Sequence, residues 1–285
     1  MARVAHGARV AGDYPPPSMA RLALLGGGRM GEALIGGLIS SGWPAGDLAV
    51  AEVVADRRAE LEQRFPGLTA VESPAAAVAG ADVVVVAVKP NDVDAALRAA
   101  AGALDASALV VSIAAGVRIA QLEALAPGNP VVRAMPNTPA LVGKGAAAIA
   151  PGANATGAHL TTAEQILGAV GIVVRLPEEL LDAVTGLSGS GPAYLFYLAE
   201  AMAEAGRAEG LDGDVADRLV VQTLLGAATL LAESGDRPEE LRAAVTSKGG
   251  TTEAAIRTLD EEGVRSAIVA AIARATERSK ELGDA

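Results

Sequence analysis

Residues 22–31, LALLGGGRMG, decide the fold of this chain. Four apolar residues predict a short buried strand, and the glycines that follow have the spacing G-x-G-x-x-G at the start of a predicted helix. In that setting the first glycine permits the turn, the second admits a pyrophosphate and the third packs helix against strand. The motif therefore predicts a dinucleotide site, and a merely structural glycine turn is the alternative.

Strand and helix patterns alternate after this motif. The clearest strand covers residues 81–88, whose apolar character suits a parallel strand covered on both faces. Further strands are predicted at residues 48–52, 108–114, 131–134, 146–150 and 172–176, and helices at 29–41, 54–65 and 91–101, the last with Asn91 as N-cap. The alternation predicts an α/β fold with a doubly wound, Rossmann-like sheet.

The pattern changes near residue 177, where strand patterns stop and long helical stretches begin at residues 194–209, 215–234 and 266–282. We therefore predict three parts. Residues 1–19, which contain His6 and three prolines, form a disordered extension, with Met19 as an alternative start. Residues 20–177 form the dinucleotide-binding domain, and residues 178–285 form an all-helical domain.

Composition excludes several classes of protein. The net charge is -11 and the 23 basic residues form no long run, which argues against a nucleic-acid partner. The chain has no cysteine and two histidines, so thiolate chemistry and a multi-histidine metal site are excluded. No apolar run reaches the roughly 18–20 residues that span a bilayer. We expect a cytoplasmic protein without a membrane partner.

The choice between the two nicotinamide dinucleotides stays open. Glu52 ends the second predicted strand, where an acid accepts hydrogen bonds from the ribose 2′-hydroxyl of NAD. Arg57 and Arg58 follow closely, and an arginine nearby can hold the 2′-phosphate of NADP. Two solvated arginines on a helix surface would look the same in sequence.

Small residues and prolines follow three predicted strands, at Lys89-Pro90, at residues 112–116 and at residues 133–139. Ligands of open α/β sheets bind beyond such strand ends, although each loop alone could be an ordinary turn. In the helical part, residues 185–194 place Ser190 as a cap before Pro192. Residues 245–254, VTSKGGTTEA, predict free N–H groups that suit a carboxylate, or else a plain Ser/Thr cap.

Together these segments resemble the pyrroline-5-carboxylate reductase family, from Arg21 to Leu282. The resemblance rests on the glycine loop, VKP at 88–90, MPNTP at 135–139, DAVTGLSGSGPAY at 182–194 and GGTT at 249–252. It implies reduction of 1-pyrroline-5-carboxylate to L-proline, the last step of proline biosynthesis, with NADPH or NADH. It also implies a homodimer through the helical domain, with each active site completed by the partner subunit, and assembly into decamers.

The resemblance also implies roles for individual residues. The Thr252 hydroxyl would be the catalytic group nearest the ring nitrogen, and a proton donated by Lys89 is the alternative. Substrate would be bound by Ser247, Gly249, Gly250, Thr251 and Thr252. Cofactor would be bound by Leu25, Gly26, Gly27, Gly28, Arg29, Met30, Glu52, Ala87, Val88, Lys89, Pro90, Ile113, Ala114 and Ala115. No metal is expected.

Two positions depart from the family pattern. Lys248 stands where a proline usually precedes the two glycines, and Glu52 suits NADPH less well than a small polar residue would. Two other functions compete. An imine or β-hydroxyacid dehydrogenase has a similar build, but the latter would place a lysine on the first helices after the sheet, and residues 194–222 contain none. The other is a non-catalytic dinucleotide-binding redox sensor.

Overall fold

The computed structural model describes residues 20–283. The predicted disordered extension, with His6 and Met19, lies outside the described residues. The described chain forms two compact units, residues 20–190 together with 275–283, and residues 191–274. The domain limits drawn from the sequence stay a prediction.

The first unit contains one eight-stranded sheet with the strand order β3-β2-β1-β4-β5-β6-β7-β8. All neighbouring strands are parallel except β6 and β7. The predicted α/β class with a doubly wound, Rossmann-like sheet is confirmed. The strands are β1 (Leu22–Leu25), β2 (Leu48–Ala51), β3 (Thr69–Val71), β4 (Val83–Val86), β5 (Leu109–Ser112), β6 (Val131–Met135), β7 (Gly145–Pro151) and β8 (Gly171–Arg175).

Helices cover both faces of the sheet, which explains why its central strands are apolar throughout. In β1, Leu22 and Leu24 pack into one hydrophobic cluster, and Ala23 and Leu25 pack into another. The helices of this unit are α1 (Arg29–Ser40), α2 (Ala55–Arg64), α3 (Pro74–Val78), α4 (Val93–Ala100), α5 (Ile119–Leu125), α6 (Gly157–Gly168) and α7 (Leu181–Val184). Helices α1, α2 and α6 share the first cluster, and α3, α4 and α5 the second.

One local prediction was wrong, one predicted strand is shorter than expected and one strand was missed. The strand predicted at residues 81–88 is confined to Val83–Val86. Asn91 is not an N-cap, because it lies inside the 3₁₀ turn Pro90–Asp92 and α4 follows Asp92. Strand β3 was missed because it has three residues with an exposed first position, too short for a periodic pattern.

The second unit is helical and begins after a π-helical turn at Thr185–Gly189. Its buried hydrophobic residues, within the part of the chain that the structure describes, are Ala203, Ala216 and Val220. With so few buried residues, the second unit of a single chain has only a small hydrophobic core. The helices are α8 (Gly191–Ala208), α9 (Gly213–Ser234), α10 (Pro238–Ala244), α11 (Thr251–Glu261) and α12 (Val264–Gly283), whose last turns belong to the first unit.

Helix α9 corrects the expectation that no stretch is long and apolar enough to cross a membrane. It has 22 residues and a mean hydropathy of 1.4 over an 18-residue window, and 11% of that window is buried. Length and composition alone are weak support for a membrane span, since an apolar helix that packs against a protein partner passes the same test.

Candidate active site

The glycine loop between β1 and α1 has the shape that a pyrophosphate requires. Gly26 has a φ of 110°, and a Cβ placed there would lie 2.9 Å from the backbone of Ala87 and Val88. A Cβ on Gly31 would meet the Gly26 carbonyl oxygen at 2.2 Å. Only glycine fits at either position, because any side chain would force the loop away from β4 or α1 away from the loop.

The same loop leaves room for an anion at the start of α1. Gly28 is the N-cap, and a Cβ built on it would meet nothing within 4 Å. The first helical hydrogen bond runs from the Glu32 N–H to the Gly28 carbonyl, so the N–H groups of the first turn before Glu32 have no acceptor within the helix. Open space in front of these donors fits the predicted binding of a dinucleotide pyrophosphate.

Glu52 lies at this loop, directly after β2. Its carboxylate accepts hydrogen bonds from the Gly27 N–H at 3.1 Å and from the Val54 N–H at 2.9 Å. Arg57 reaches the same loop, where its Nε donates to the Gly27 carbonyl at 2.9 Å. The structure therefore brings the predicted ribose-binding residue and one candidate phosphate-binding arginine together on either side of Gly27.

The predicted nicotinamide path follows β4 and β5. The Ala87 N–H donates to the Leu25 carbonyl at 2.8 Å, and the Ile113 N–H donates to the Val86 carbonyl at 3.1 Å. The loops after these strands thus lie side by side next to the glycine loop. Leu25 and Ala114 are buried, so they can offer a cofactor only backbone groups, whereas Lys89, Pro90 and Ala115 are exposed.

Two further motifs meet at the end of β6. The Asn137 side-chain amide donates to the Ser188 carbonyl in the π-helical turn at 3.0 Å, and its oxygen accepts from the Ala146 N–H at 2.8 Å. Gly189 lies so close that a Cβ would meet the Met135 Cε at 2.5 Å. Asn137 therefore joins the MPNTP segment to the π-helical turn, a connection that the separate motifs did not reveal.

The predicted substrate residues form one compact turn at the start of α11, in the second unit. The Gly250 N–H donates to the Ser247 carbonyl at 3.0 Å, and Gly249 has a φ of 74°. A Cβ on Gly250 would lie 2.5 Å from the Ser247 Oγ. Lys248 occupies the second position of this turn, where proline is favoured because it fixes φ in advance.

The helix start itself lacks a side-chain cap. Gly250 is the N-cap, and the Glu253 carboxylate turns back to accept from the Gly249 N–H at 2.7 Å. The first backbone bond is donated by Ala254 to the Gly250 carbonyl. The alternative of a plain Ser/Thr cap is therefore wrong, and amide donors at Thr251 and Thr252 are available for a carboxylate.

Fold and site together define an oxidoreductase that binds a nicotinamide dinucleotide in a Rossmann-like unit and carries a separate helical unit. Two family models match the chain: "pyrroline-5-carboxylate reductase dimerisation" over residues 178–282 and "NADP oxidoreductase coenzyme F420-dependent" over residues 21–116. The chain belongs to the pyrroline-5-carboxylate reductase family and is an NAD(P)H-dependent enzyme. The resemblance seen in the sequence is confirmed.

Individual relatives match along almost the whole chain. The pyrroline-5-carboxylate reductase of Pseudomonas aeruginosa is 46% identical over 94% of this chain and 98% of its own length. The solved reductase from Coxiella burnetii has a TM-score of 0.88 at 34% identity, covering 93% of this chain and 99% of that one. The Plasmodium falciparum pyrroline carboxylate reductase, solved with NADP bound, has a TM-score of 0.82 at 28% identity over 93% and 98% of the two chains.

Proposed function

We propose that this enzyme reduces 1-pyrroline-5-carboxylate to L-proline, the last step of proline biosynthesis. The observation that carries the proposal is the uncapped start of α11 at Gly250, a carboxylate site in a chain of this family. The bound reduced nicotinamide supplies the hydride for the imine carbon of the substrate. Residues of the chain then have to bind the carboxylate, orient the ring and deliver one proton to its nitrogen.

The predicted residues divide these tasks between the glycine loop of the first unit and the turn before α11 in the second unit. The glycine loop from Gly26 to Met30 holds the pyrophosphate, and the strand ends after β4 and β5 line the nicotinamide path. Ser247 and the amides of Thr251 and Thr252 at the start of α11 hold the substrate carboxylate, and Gly249 and Gly250 shape the turn that presents them. The Thr252 hydroxyl donates a hydrogen bond to the ring nitrogen and relays its proton from water.

Lys89 competes for the role of acid because it follows β4. Its side chain is exposed, which favours an ammonium group solvated by water. We therefore assign the proton relay to Thr252 and give Lys89 a place in the cofactor wall only.

The helical unit carries the homodimer, and the dimer is the building block of a decamer. The large apolar side chains left exposed on α8 and α9 in a single chain support pairing with a second copy. Pairing through α9 would bury its apolar side chains against protein and needs no membrane. We propose that the enzyme acts in the cytoplasm. In such a dimer each active site takes residues from both subunits.

The direct test measures oxidation of NADH and of NADPH by the purified full-length enzyme with DL-1-pyrroline-5-carboxylate. Turnover with at least one cofactor, and L-proline as the product, is the expected result. A folded dimer that binds either dinucleotide but turns over no pyrroline-5-carboxylate would overturn the proposal. It would point to another cyclic imine or to a redox sensor without catalysis.

A further inference from the structure

The carboxylate of Glu52 is held in a fixed position where the adenosine ribose of a dinucleotide binds in this fold. One oxygen accepts from the Gly27 N–H at 3.1 Å, and the other accepts from the Val54 N–H at 2.9 Å. Each oxygen keeps a free lone pair, because a carboxylate offers about four acceptor sites in all. A ribose diol can therefore donate to Glu52 without breaking either backbone contact.

Each nitrogen of the Arg57 guanidinium already donates a hydrogen bond within the chain. Its Nε donates to the Gly27 carbonyl at 2.9 Å, its Nη1 to Glu60 at 3.0 Å and its Nη2 to Glu32. The hydrogen bond to Glu32 is the main cause of the raised pKa of this guanidinium. Three of its five N–H donors are thus engaged, and the two acids that they pair with would lie beside any phosphate bound by Arg57.

Arg58 is engaged as well. Its Nη1 donates to the carbonyls of Glu52 at 2.7 Å and Val53 at 3.0 Å, and its Nη2 lies 3.7 Å from Glu72. The side chain is 20% exposed. Arg58 therefore stabilises the chain after β2 and neutralises its surroundings instead of facing an open binding site.

Carboxylates outnumber guanidinium groups at this end of the site. Ion pairs join Glu32, Glu60 and Glu72 to Arg57, Arg58 and Arg64. The Glu52 carboxylate, which contacts backbone N–H groups, adds a fourth acid beside these three arginines. Arg29, the remaining arginine of the loop, lines a cleft of about 640 Å³ together with Phe65 and Leu141. A 2′-phosphate carries up to about two negative charges and would enter a cluster that is already negative.

We propose that Glu52 makes this enzyme prefer NADH to NADPH, because its carboxylate accepts the ribose 2′-hydroxyl and repels a 2′-phosphate. The inference rests on the proposed function only in that the chain uses a nicotinamide dinucleotide. It concerns the adenosine end of the cofactor, so it can be tested without the substrate and without turnover.

The first experiment measures binding of ADP-ribose and of 2′-phospho-ADP-ribose to the full-length enzyme by isothermal titration calorimetry. ADP-ribose is expected to bind at least about tenfold more tightly, since like charges side by side are strongly unfavourable at an interface. Equal affinities, or tighter binding of the phosphorylated fragment, would overturn the proposal.

The charge of Glu52 is tested with Glu52→Gln, and Glu72→Gln is the matched control. In Glu52→Gln, the preference for ADP-ribose over 2′-phospho-ADP-ribose is expected to fall by about tenfold, mainly because the phosphorylated fragment binds more tightly. Glu72 is an acid of the same cluster whose side chain is 75% exposed, so its replacement should leave the ratio unchanged. An unchanged ratio in folded Glu52→Gln, or an equal change in both variants, would contradict the assignment.

Arg57→Ala keeps the test decisive if Glu52→Gln disturbs the loop. Loss of the Arg57 contact to Gly27 should weaken both fragments alike and leave their ratio unchanged. If Arg57→Ala weakened the binding of 2′-phospho-ADP-ribose alone, Arg57 would hold the phosphate and the inference would be wrong. Absence of turnover with pyrroline-5-carboxylate would instead reject the proposed function and leave these binding ratios standing.

Discussion

Gly26 and Gly28 stand two residues apart in one loop, yet an added methyl group would have different effects. At Gly26 it meets the backbone of Ala87 and Val88 at a φ that side chains rarely adopt, and at Gly28 it meets open space. Gly26→Ala should lower the free energy of unfolding by about 1–3 kcal/mol. Gly28→Ala should cost less stability and chiefly weaken dinucleotide binding, since its Cβ stands where the anion approaches.

Urea unfolding and titration with NADH separate these two effects. Gly102→Ala is the control, because Gly102 also has open space around it and lies away from the predicted site. Equal losses of stability in the Gly26 and Gly28 variants would contradict the role that the structure gives to Gly26.

The proton relay is proposed for the Thr252 hydroxyl. Thr252→Ala should lower kcat/KM for pyrroline-5-carboxylate by about 10²-fold, the lower range for a group that assists proton transfer. Thr252→Ser keeps the hydroxyl and should retain most of the activity. Thr258→Ala, on the same helix α11, makes the same truncation at a hydroxyl that donates to the Ala254 carbonyl, and it serves as control. Full kcat/KM in Thr252→Ala would exclude the catalytic role.

Site residues could be predicted from the sequence where their role depends on residues next to them in the chain. The glycine spacing of residues 26–31 and the GGTT segment are local patterns, so a site could be predicted at each. The contact of Asn137 with Ser188 spans 51 positions and follows from packing at the end of β6. No local pattern contains such a contact, and it needed the folded chain.

At the scale of elements, the end of α12 is tied to α7 by a buried polar contact. The Ser279 Oγ donates to the Asp182 carboxylate at 2.7 Å, and both residues are at most 4% exposed. Arg118, just before α5, lies 3.7 Å from the other carboxylate oxygen. Three segments distant in sequence therefore meet at Asp182.

Ser279→Ala should lower the free energy of unfolding by about 1–3 kcal/mol, because a buried carboxylate loses a hydrogen-bond donor. Ser266→Ala on the exposed part of α12 is the control and should change the unfolding midpoint little. Both are measured by urea unfolding of the full-length enzyme. Matching midpoints for the two variants would show that the contact contributes no stability.

Element types were predictable wherever burial is regular. The central strands are apolar throughout because helices cover both faces, and that is how they were found. Their ends were predicted less well, because apolar residues such as Ala87 continue past the last strand bond into the site. Helix α9 was harder to interpret from sequence. Its exposed apolar side chains give it the composition of a membrane span, although a helix that packs against a second subunit has the same composition.

At the scale of the whole molecule, the helical unit is incomplete as a single chain. Leu225 on α9 is 59% exposed, and neighbouring large apolar residues are exposed too. Leu225→Glu should raise the dimer dissociation constant by at least about tenfold, since burying an unpaired carboxylate is costly. Light scattering across a dilution series measures this, together with specific activity.

Val142→Glu is the control for that experiment. Val142 is 75% exposed in the first unit, outside the residues matched by the dimerisation model. It should leave the dissociation constant unchanged. A Leu225→Glu enzyme that stays dimeric at the lowest concentrations would place the dimer contact elsewhere on the helical unit.

The first unit takes its last residues from the far end of the chain, since residues 275–283 belong with residues 20–190. During synthesis on the ribosome, the sheet can form early, but the contact of Asp182 with Ser279 can form only after 97 further residues have been added. A chain cut short before Ser279 would remove one hydrogen-bond donor from the Asp182 carboxylate and expose the surface around Gly116 that Leu282 covers. Such truncated products are expected to be preferred substrates of cellular proteases.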